Sequence, residues 1–213
     1  MSRSIAVSAM IILITLLTIC SMVVAQSGPR TVLVWVEEHP RPWGESQIEE
    51  LLIHNLSRNS NLRVFSANTN SIKEPEFPRD WTNVDSIADW SLERGCRYVL
   101  AVSIKDERLE RKKGMHLPLL FHKYSTVGIV EADVRLFDAG RGKFIMTEML
   151  TVEEKGPRVF QATMDDNIND PDLHLTTPKK LSFIAKLEQK FCNKLVKRLG
   201  ERIYLRERNT ELR

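Results

Sequence analysis

The sequence predicts an α/β (α+β) fold with a single mixed sheet and three helices packed on one face of it. Apolar runs typical of strands alternate with apolar stripes typical of helices in the order β-α-β-α-β-β-β-α. The later strands carry apolar side chains at alternate positions, so each presents one apolar face. Three amphipathic helices can cover that face, and one domain, residues 26–205, therefore accounts for the burial.

Strands alternate with helices in the first half of the domain. A β-branched run at 31–36 indicates a buried strand, and apolar residues at helical spacing within 45–58 predict a helix. A short strand at 62–66 follows. Thr82 is placed to cap a second helix, and Gly95 stands where a helix end favours a left-handed residue. The apolar stripe of that second helix is Val84, Ile87, Ala88 and Leu92.

Antiparallel strands dominate the second half of the domain. Alternating residues predict strands over about 98–110, 124–137 and 144–152. The turn chemistry of residues 138–142 joins the last two strands, which must then be antiparallel. A threonine-proline pair opens a long helix over 177–205. Its apolar stripe contains Leu181, Ile184, Leu187, Phe191, Cys192, Leu195, Leu199 and Ile203.

The N-terminal segment, residues 1–25, is typical of a secretory signal peptide. One basic residue precedes a long apolar run, and the small residues that follow fit cleavage after Ala25. Two alternatives stay open, because the run is just long enough to remain as a membrane anchor and Cys20 could carry a lipid. All three predict export of the domain. At the other end of the chain, the charged tail, residues 206–213, is expected to fray.

Charge and cysteine content limit the partners of the domain. Removal of residues 1–25 lowers the formal net charge from +3 to +2, since Arg3 is the only charged residue among them. A nearly neutral surface argues against nucleic acid, which needs a concentrated basic face. Cys96 and Cys192 could form a disulfide in an oxidising compartment, although their apolar surroundings favour two buried free thiols.

The sequence contains no motif typical of a catalytic, cofactor or metal site. Ser103 lacks the flanking glycines of a nucleophile elbow, and there is no phosphate-binding or dinucleotide-binding loop. The aspartates within 165–172 lack the glycine and the closing glutamate of a calcium loop. We therefore expect no enzyme activity, no cofactor and no metal. The histidines show no metal-ligand spacing on one helix; they are His39, His54, His116, His122 and His174.

The segment 108–124, predicted as a loop between two strands, is the best candidate for contact with a partner. Basic residues directly precede apolar ones there, an arrangement that can dock on a protein or rest on an anionic membrane surface. The alternative is that its last apolar residues begin the next strand and pack inside the domain. The candidate contact residues are Arg108, Arg111, Lys112, Lys113, Met115, Leu117, Leu119 and Phe121.

Four segments of the chain carry a resemblance to a known family. Gly95-Cys-Arg-Tyr-Val-Leu-Ala-Val-Ser-Ile104 is similar to a family pattern Gly-Ala-Asp-Tyr-Val-Leu-x-Gly-Ser-Ile, and residues 134–143 are similar to Leu-Arg-Leu-Val-Asp-x-x-Thr-Gly-Glu. Residues 30–36 and 48–65 resemble the opening strand and the next helix and strand of the same family. It is the CsgG-like family, which includes the periplasmic domain of the curli secretion channel protein and activator lipoproteins of peptidoglycan synthases.

The resemblance implies a periplasmic α/β domain without catalytic residues, but the chain departs from the curli channel in two respects. Leu17-Thr-Ile-Cys20 is a poor lipidation site. The stretches that would supply the pore hairpins, 108–124 and 152–175, are rich in charged residues, and the first contains Pro118. Strands of this composition are poorly suited to contact with lipid. The sequence thus indicates the soluble domain without a pore.

We therefore predict a non-catalytic exported protein, periplasmic or associated with the outer membrane, that acts as an assembly or regulatory component. Its expected partners are envelope proteins, with self-association and peripheral membrane contact as further options, and nucleic acid is not among them. The alternative is a subunit of an oligomeric curli-type outer-membrane secretion channel. A hydrolase with an unrecognised site is the third hypothesis.

Overall fold

The computed structural model describes residues 31–38, 41, 43–59, 62–67, 83–117, 121–161 and 175–211, which all belong to one compact unit, Thr31–Arg213. Within these ranges, the side chains of 113–117, 121–124, 157–161 and 205–211 are not described. The predicted signal peptide, residues 1–25, lies outside the described residues.

A five-stranded mixed sheet forms the centre of the domain, with the strand order β2-β1-β3-β4-β5. Its strands are β1 (Thr31–Glu37), β2 (Arg63–Ser66), β3 (Tyr98–Leu117), β4 (Phe121–Asp138) and β5 (Lys143–Gln161). The described part of the chain also forms three α-helices, α1 (Ile48–Asn59), α2 (Val84–Glu93) and α3 (Thr177–Glu211). The predicted fold class and order of elements are confirmed.

The sheet combines parallel and antiparallel pairs. β1 pairs in parallel with β2 and with β3, so that Val32 lies opposite both Val64 and Tyr98. Parallel neighbours need long crossover connections, and α1 and α2 lie in these connections. β3, β4 and β5 follow one another as antiparallel neighbours. The turn between β4 and β5 ends at Gly142, whose φ of 58° favours a residue without Cβ.

The three helices cover both faces of the sheet, so the prediction that they pack on one face is wrong. Val34 of β1 packs in a core with α1 and α3, whereas the neighbouring Leu33 packs on the opposite face with Ile87 and Trp90 of α2. Successive residues of a strand point to opposite faces. Because β1 is apolar at nearly every position and has strands on both sides, each of its faces needs a cover.

Helix α2 is bounded by two residues that stop the helix from extending. Asn83, one residue after the predicted Thr82, is the N-cap, and its side-chain oxygen accepts a hydrogen bond of 3.1 Å from the backbone N–H three residues later. Gly95 follows the helix with φ 63°, as predicted. The predicted stripe is displaced, because Trp90 is turned inwards while Leu92 is 54% exposed.

Helix α3 packs along the antiparallel strands. Most of its predicted stripe is buried, although Leu181 near its start is 48% exposed. The helix continues to Glu211, past the predicted end near Leu205. It approaches the sheet closely at Gly128, where an added Cβ would lie 2.8 Å from Cδ2 of Leu187. The absence of a side chain at this position of β4 therefore allows α3 to pack closely on the sheet.

The antiparallel strands are longer than predicted. β3 and β4 remain paired as far as Leu117 opposite Phe121, and β4 pairs with β5 as far as His122 opposite Gln161. The segment 108–124, predicted as a loop, is in its described part the end of a hairpin. Its residues lack the apolar and polar alternation that marks a half-buried strand, so the pattern gave no sign of the pairing.

Candidate functional site

Three charged side chains meet inside the domain and form what we call the Arg41 cluster: Arg41, Glu107 and Glu188. Nη1 of Arg41 donates hydrogen bonds to Oε2 of Glu107 on β3 and, at 2.7 Å, to Oε1 of Glu188 on α3. The side chain of Arg41 is 8% exposed and those of the two glutamates are 3% exposed. The backbone N–H of Gln47 donates to the other oxygen of Glu188 at 3.4 Å.

Burial and unequal charge determine the protonation of the Arg41 cluster. Burial raises the pKa of Glu107, and the neighbouring Arg41 guanidinium lowers it only in part. Burial also lowers the pKa of Arg41, but the bonds to Glu188 and Glu107 outweigh this and raise it, so the guanidinium stays charged. Two carboxylates share one cation, and a proton on Glu107 would remove the excess negative charge.

The Arg41 cluster is arranged to hold the chain rather than to act on a substrate. It connects the segment after β1 to β3 and to α3, and its side chains have almost no contact with solvent. Nη2 of Arg41 and Oε1 of Glu107 are buried without a hydrogen-bond partner among the described residues. Unsatisfied buried polar atoms cost stability, so the cluster stays intact only while the surrounding packing holds it.

The two cysteines of the domain are free, buried and separated by the sheet. Cys192 lies in the core formed with α1 and α3, and Cys96 lies in the core on the α2 side. The disulfide that the sequence left open is not formed, because the two thiols face opposite sides of the sheet. Burial raises the pKa of each thiol, which keeps both of them protonated and unreactive at neutral pH.

Helix α2 covers only part of its face of the sheet, and the remainder is a surface that we call the open face. Ser103 donates to Glu37 at 2.7 Å and accepts from Lys105 at 3.0 Å, while Arg135 donates to Asp133 at 2.7 Å. Opposite charges therefore neighbour each other around the half-buried Trp35. A shallow groove of about 150 Å³ on this face is lined mainly by Trp35, Glu37, Ser103, Lys105, Asp133 and Arg135.

The basic residues predicted to contact a partner are divided between the two faces. Arg108 and Lys112 continue the open face along β3, and Arg111 points to the opposite face, because neighbouring strand residues alternate. The predicted run of basic charge is thus split, and its open-face members are matched by acids. The ion pairs are Arg108 with Asp106, Glu110 and Glu131, and Lys112 with Glu153.

The other predicted contact residues lie at the ends of strands or outside the description. Lys113, Met115 and Leu117 belong to the last part of β3, and Phe121 begins β4. The side chains of these four residues are not described, and Leu119 lies outside the described residues. The strand start at Phe121 fits the alternative in which the apolar end of the segment begins the next strand.

Sequence reasoning missed the Arg41 cluster. Arg41 lies between two prolines in a segment without periodicity, and Glu107 follows an irregularity in the pairing of β3 with β4. Only Glu188 carried a local signal, because it lies at helical spacing between Ile184 and Phe191 within an apolar stripe. A carboxylate at such a position indicates a buried partner, since an unpaired buried charge is very costly.

Two further properties of the described residues bear on function. They contain no group of three or more histidine, cysteine, aspartate or glutamate side chains placed to hold a metal ion. Among the helices of the same ranges, none combines the length and the apolar character needed to cross a membrane.

No family model matches the chain, and no curated protein matches it either. Among solved structures, it is similar to the neuraminyllactose-binding hemagglutinin homolog from Helicobacter pylori, with a TM-score of 0.48 and 11% identity over 87% of this chain and 91% of that one. It is also similar to a minor lipoprotein from Acinetobacter baumannii, with a TM-score of 0.39 and 6% identity over 81% of this chain and 94% of that one. For the rare lipoprotein B from Shewanella oneidensis the TM-score is 0.38 and the identity 12%, over 85% of this chain and 99% of that one. Similarities this low support no inference about function, and membership of the CsgG-like family stays a prediction.

Proposed function

We propose that this chain is a non-catalytic, exported envelope protein that acts as an assembly or regulatory component by binding another protein through the open face. The observation that carries the proposal is a polar sheet surface around Trp35 that the described helices leave uncovered. The charged side chains around the groove are hydrogen-bonded within the face, Arg135 to Asp133 and both Glu37 and Lys105 to Ser103, so a partner can cover them without leaving a charge that has no hydrogen bond.

The composition of the open face suits a protein partner. Met149 of β5 lies opposite Asp133 on the same face and is 61% exposed, and Trp35 is half-buried beside the groove. Tryptophan and methionine are enriched in protein interfaces. Alternating charges around such apolar anchors favour one orientation of a partner and oppose others, which supplies specificity.

The support for export comes from the sequence and not from the fold. Residues 1–25 have the pattern of a secretory signal, and the four family-like segments resemble a periplasmic domain. We infer a location in the periplasm or at the outer membrane, where an envelope partner would meet the open face.

Site-specific photocrosslinking in cells tests the proposed function. A photoreactive amino acid replaces Lys105 on the open face or, as a matched control, Lys186, which is exposed on α3 at the other side of the sheet. We expect a discrete adduct with another protein only from position 105, in the envelope fraction, and its loss in the Arg135→Glu background. Equal adducts from both positions, none from position 105, or recovery in the cytoplasm would contradict the proposal.

A subunit of an oligomeric curli-type outer-membrane secretion channel is the second candidate. The long pairing of β3 with β4, which continues to Leu117 opposite Phe121, favours it because the family that the chain resembles uses hairpins to assemble its channel. Size-exclusion chromatography with light scattering distinguishes the two functions. A ring of many subunits supports the channel, and a monomer or a small complex supports the binding protein.

A further inference from the structure

The outer edge of β5 is a surface separate from the open face. β5 is the last strand of the sheet, and no further strand pairs with it among the described residues. The unpaired edge of a strand offers a row of N–H and C=O groups that can pair with another chain. Thr151, Glu153 and Lys155 have exposed side chains, so solvent reaches the middle of this strand.

Two lysines of α3 occupy hydrogen-bond acceptors on this edge. Nζ of Lys190 donates to the backbone oxygen of Glu153 at 2.8 Å, and Nζ of Lys194 donates to that of Thr151 at 2.9 Å. These carbonyls are two residues apart and therefore point to the same side of the strand, and their contacts with α3 lysines indicate that this side is the outer edge. Lys190 also contacts the carboxylate of Glu154 at 2.7 Å.

The basic side chains of α3 follow β5 with nearly the same repeat as a strand. Lys190, Lys194 and Arg198 succeed each other every four residues, which is about 6 Å along a helix. Alternate residues of a strand repeat at about 6.7 Å. Arg198 contacts Glu148 farther back along β5 at 2.6 Å, so the basic row runs beside the strand in the opposite direction. A strand added to the β5 edge would lie beside the same row.

We propose that the β5 edge binds an extended segment of a partner protein with acidic residues at alternate positions. The N–H groups of that segment take over the carbonyls of Thr151 and Glu153, and its carboxylates receive the released ammonium groups of Lys190 and Lys194. Each lysine exchanges a neutral acceptor for a charged one, and charge-assisted hydrogen bonds are shorter and stronger. Strand addition provides the affinity and the alternate side chains provide the specificity.

Before a partner binds, the two lysines protect the edge from unspecific pairing, as lysines do at the edges of many sheets. The inference shares with the proposed function the premise that the chain works through protein contacts. It concerns a different surface, however, and can be tested independently of the open face.

A fluorescence anisotropy titration tests the inference with an eight-residue peptide of alternating threonine and glutamate. The full chain is expressed in cells, and the protein is purified in the form that the cells produce, with or without residues 1–25. We expect saturable binding that weakens with salt, and about tenfold weaker binding to the Lys190→Gln/Lys194→Gln variant, since charged hydrogen bonds are lost. The matched control is Lys179→Gln/Lys197→Gln, which removes the same charge from exposed positions of α3 outside the four-residue row and should bind like the wild type.

Each of the following results would overturn the inference. The first is equal binding of the same peptide methylated at every backbone nitrogen, because charge alone would then explain the affinity. The second is unchanged binding by the Lys190→Gln/Lys194→Gln variant. The third is that the variant self-associates more strongly than the wild type in sedimentation but binds the peptide equally well. The lysines would then only prevent unspecific pairing of the edge. Absent peptide binding with retained crosslinking at position 105 rejects this inference alone, and the reverse result rejects only the proposed function.

Discussion

Arg41 and Glu188 are 147 positions apart in the sequence, and a hydrogen bond of 2.7 Å joins them inside the domain. The bond connects the segment that follows the first strand to the last helix, and Glu107 of β3 completes the contact. Buried ion pairs gain little over apolar packing when intact, yet the loss of one partner is strongly destabilising. The Arg41 cluster is therefore the most informative target for measurements of stability.

Arg41→Met should lower the free energy of unfolding by about 3–5 kcal/mol, because two carboxylates remain buried without their cation. Urea unfolding followed by circular dichroism measures the change. The matched control is Arg198→Met, which breaks the ion pair with Glu148, where the two side chains are 43% and 21% exposed. That substitution should cost less than about 1 kcal/mol. Equal losses in the two variants would show that the cluster is not held in the interior.

The contribution of Glu107 to stability should decline as pH rises. Burial raises the pKa of Glu107 above its ordinary value of 4.5, so the folded protein binds this proton more tightly than the unfolded chain does. Its contribution to the free energy of unfolding therefore falls as pH increases from 4.5 through the raised pKa, and it is constant above that range. Urea unfolding at a series of pH values should show this slope in the wild type and a smaller one in Glu107→Gln. An identical slope in both proteins would assign the effect to other groups.

Gly128→Ala should destabilise the domain by about 1–3 kcal/mol through overpacking. The added Cβ would lie 2.8 Å from Cδ2 of Leu187 and 3.2 Å from Cε1 of Phe183, both on α3. Gly200→Ala is the matched control, because no described residue outside the adjacent helix backbone comes within 4 Å of its added Cβ, and alanine favours a helix by roughly 1 kcal/mol. The midpoint temperature of thermal unfolding should thus fall for Gly128→Ala and rise for Gly200→Ala. A stable Gly128→Ala protein would mean that α3 does not pack closely on β4.

Cys96 and Cys192 should resist alkylation in the folded protein. Their side chains are buried, so the reagent does not reach the sulfur atoms. Burial also raises the pKa of both thiols, so little of the reactive thiolate is present. Treatment with iodoacetamide and peptide mass spectrometry should find both residues unmodified at neutral pH and both modified in urea. A peptide pair linked by a Cys96–Cys192 disulfide would disprove their separation by the sheet.

Local periodicity was sufficient for the elements that have one apolar and one polar side. The alternation within 98–104 and 130–136 identified the central part of β3 and β4, and the stripe of α3 identified a long helix. The same method failed for 111–117 and 153–161, where charged residues occupy both faces of the strands. Outside the core, strand pairing is stabilised by backbone hydrogen bonds to neighbours, and these leave little trace in the order of side chains.

The sequence was thus enough for the class of fold and the order of its elements, because the spacing of apolar residues indicates which side chains are buried. It could not assign α2 to a face, since β1 is apolar on both sides and accepts a helix on either. Nor could the sequence predict that Arg41 contacts Glu107 and Glu188, or that Arg108 forms ion pairs with acidic residues of two strands. Those relationships join residues that are far apart in the chain, and only the packing of the folded domain selects them.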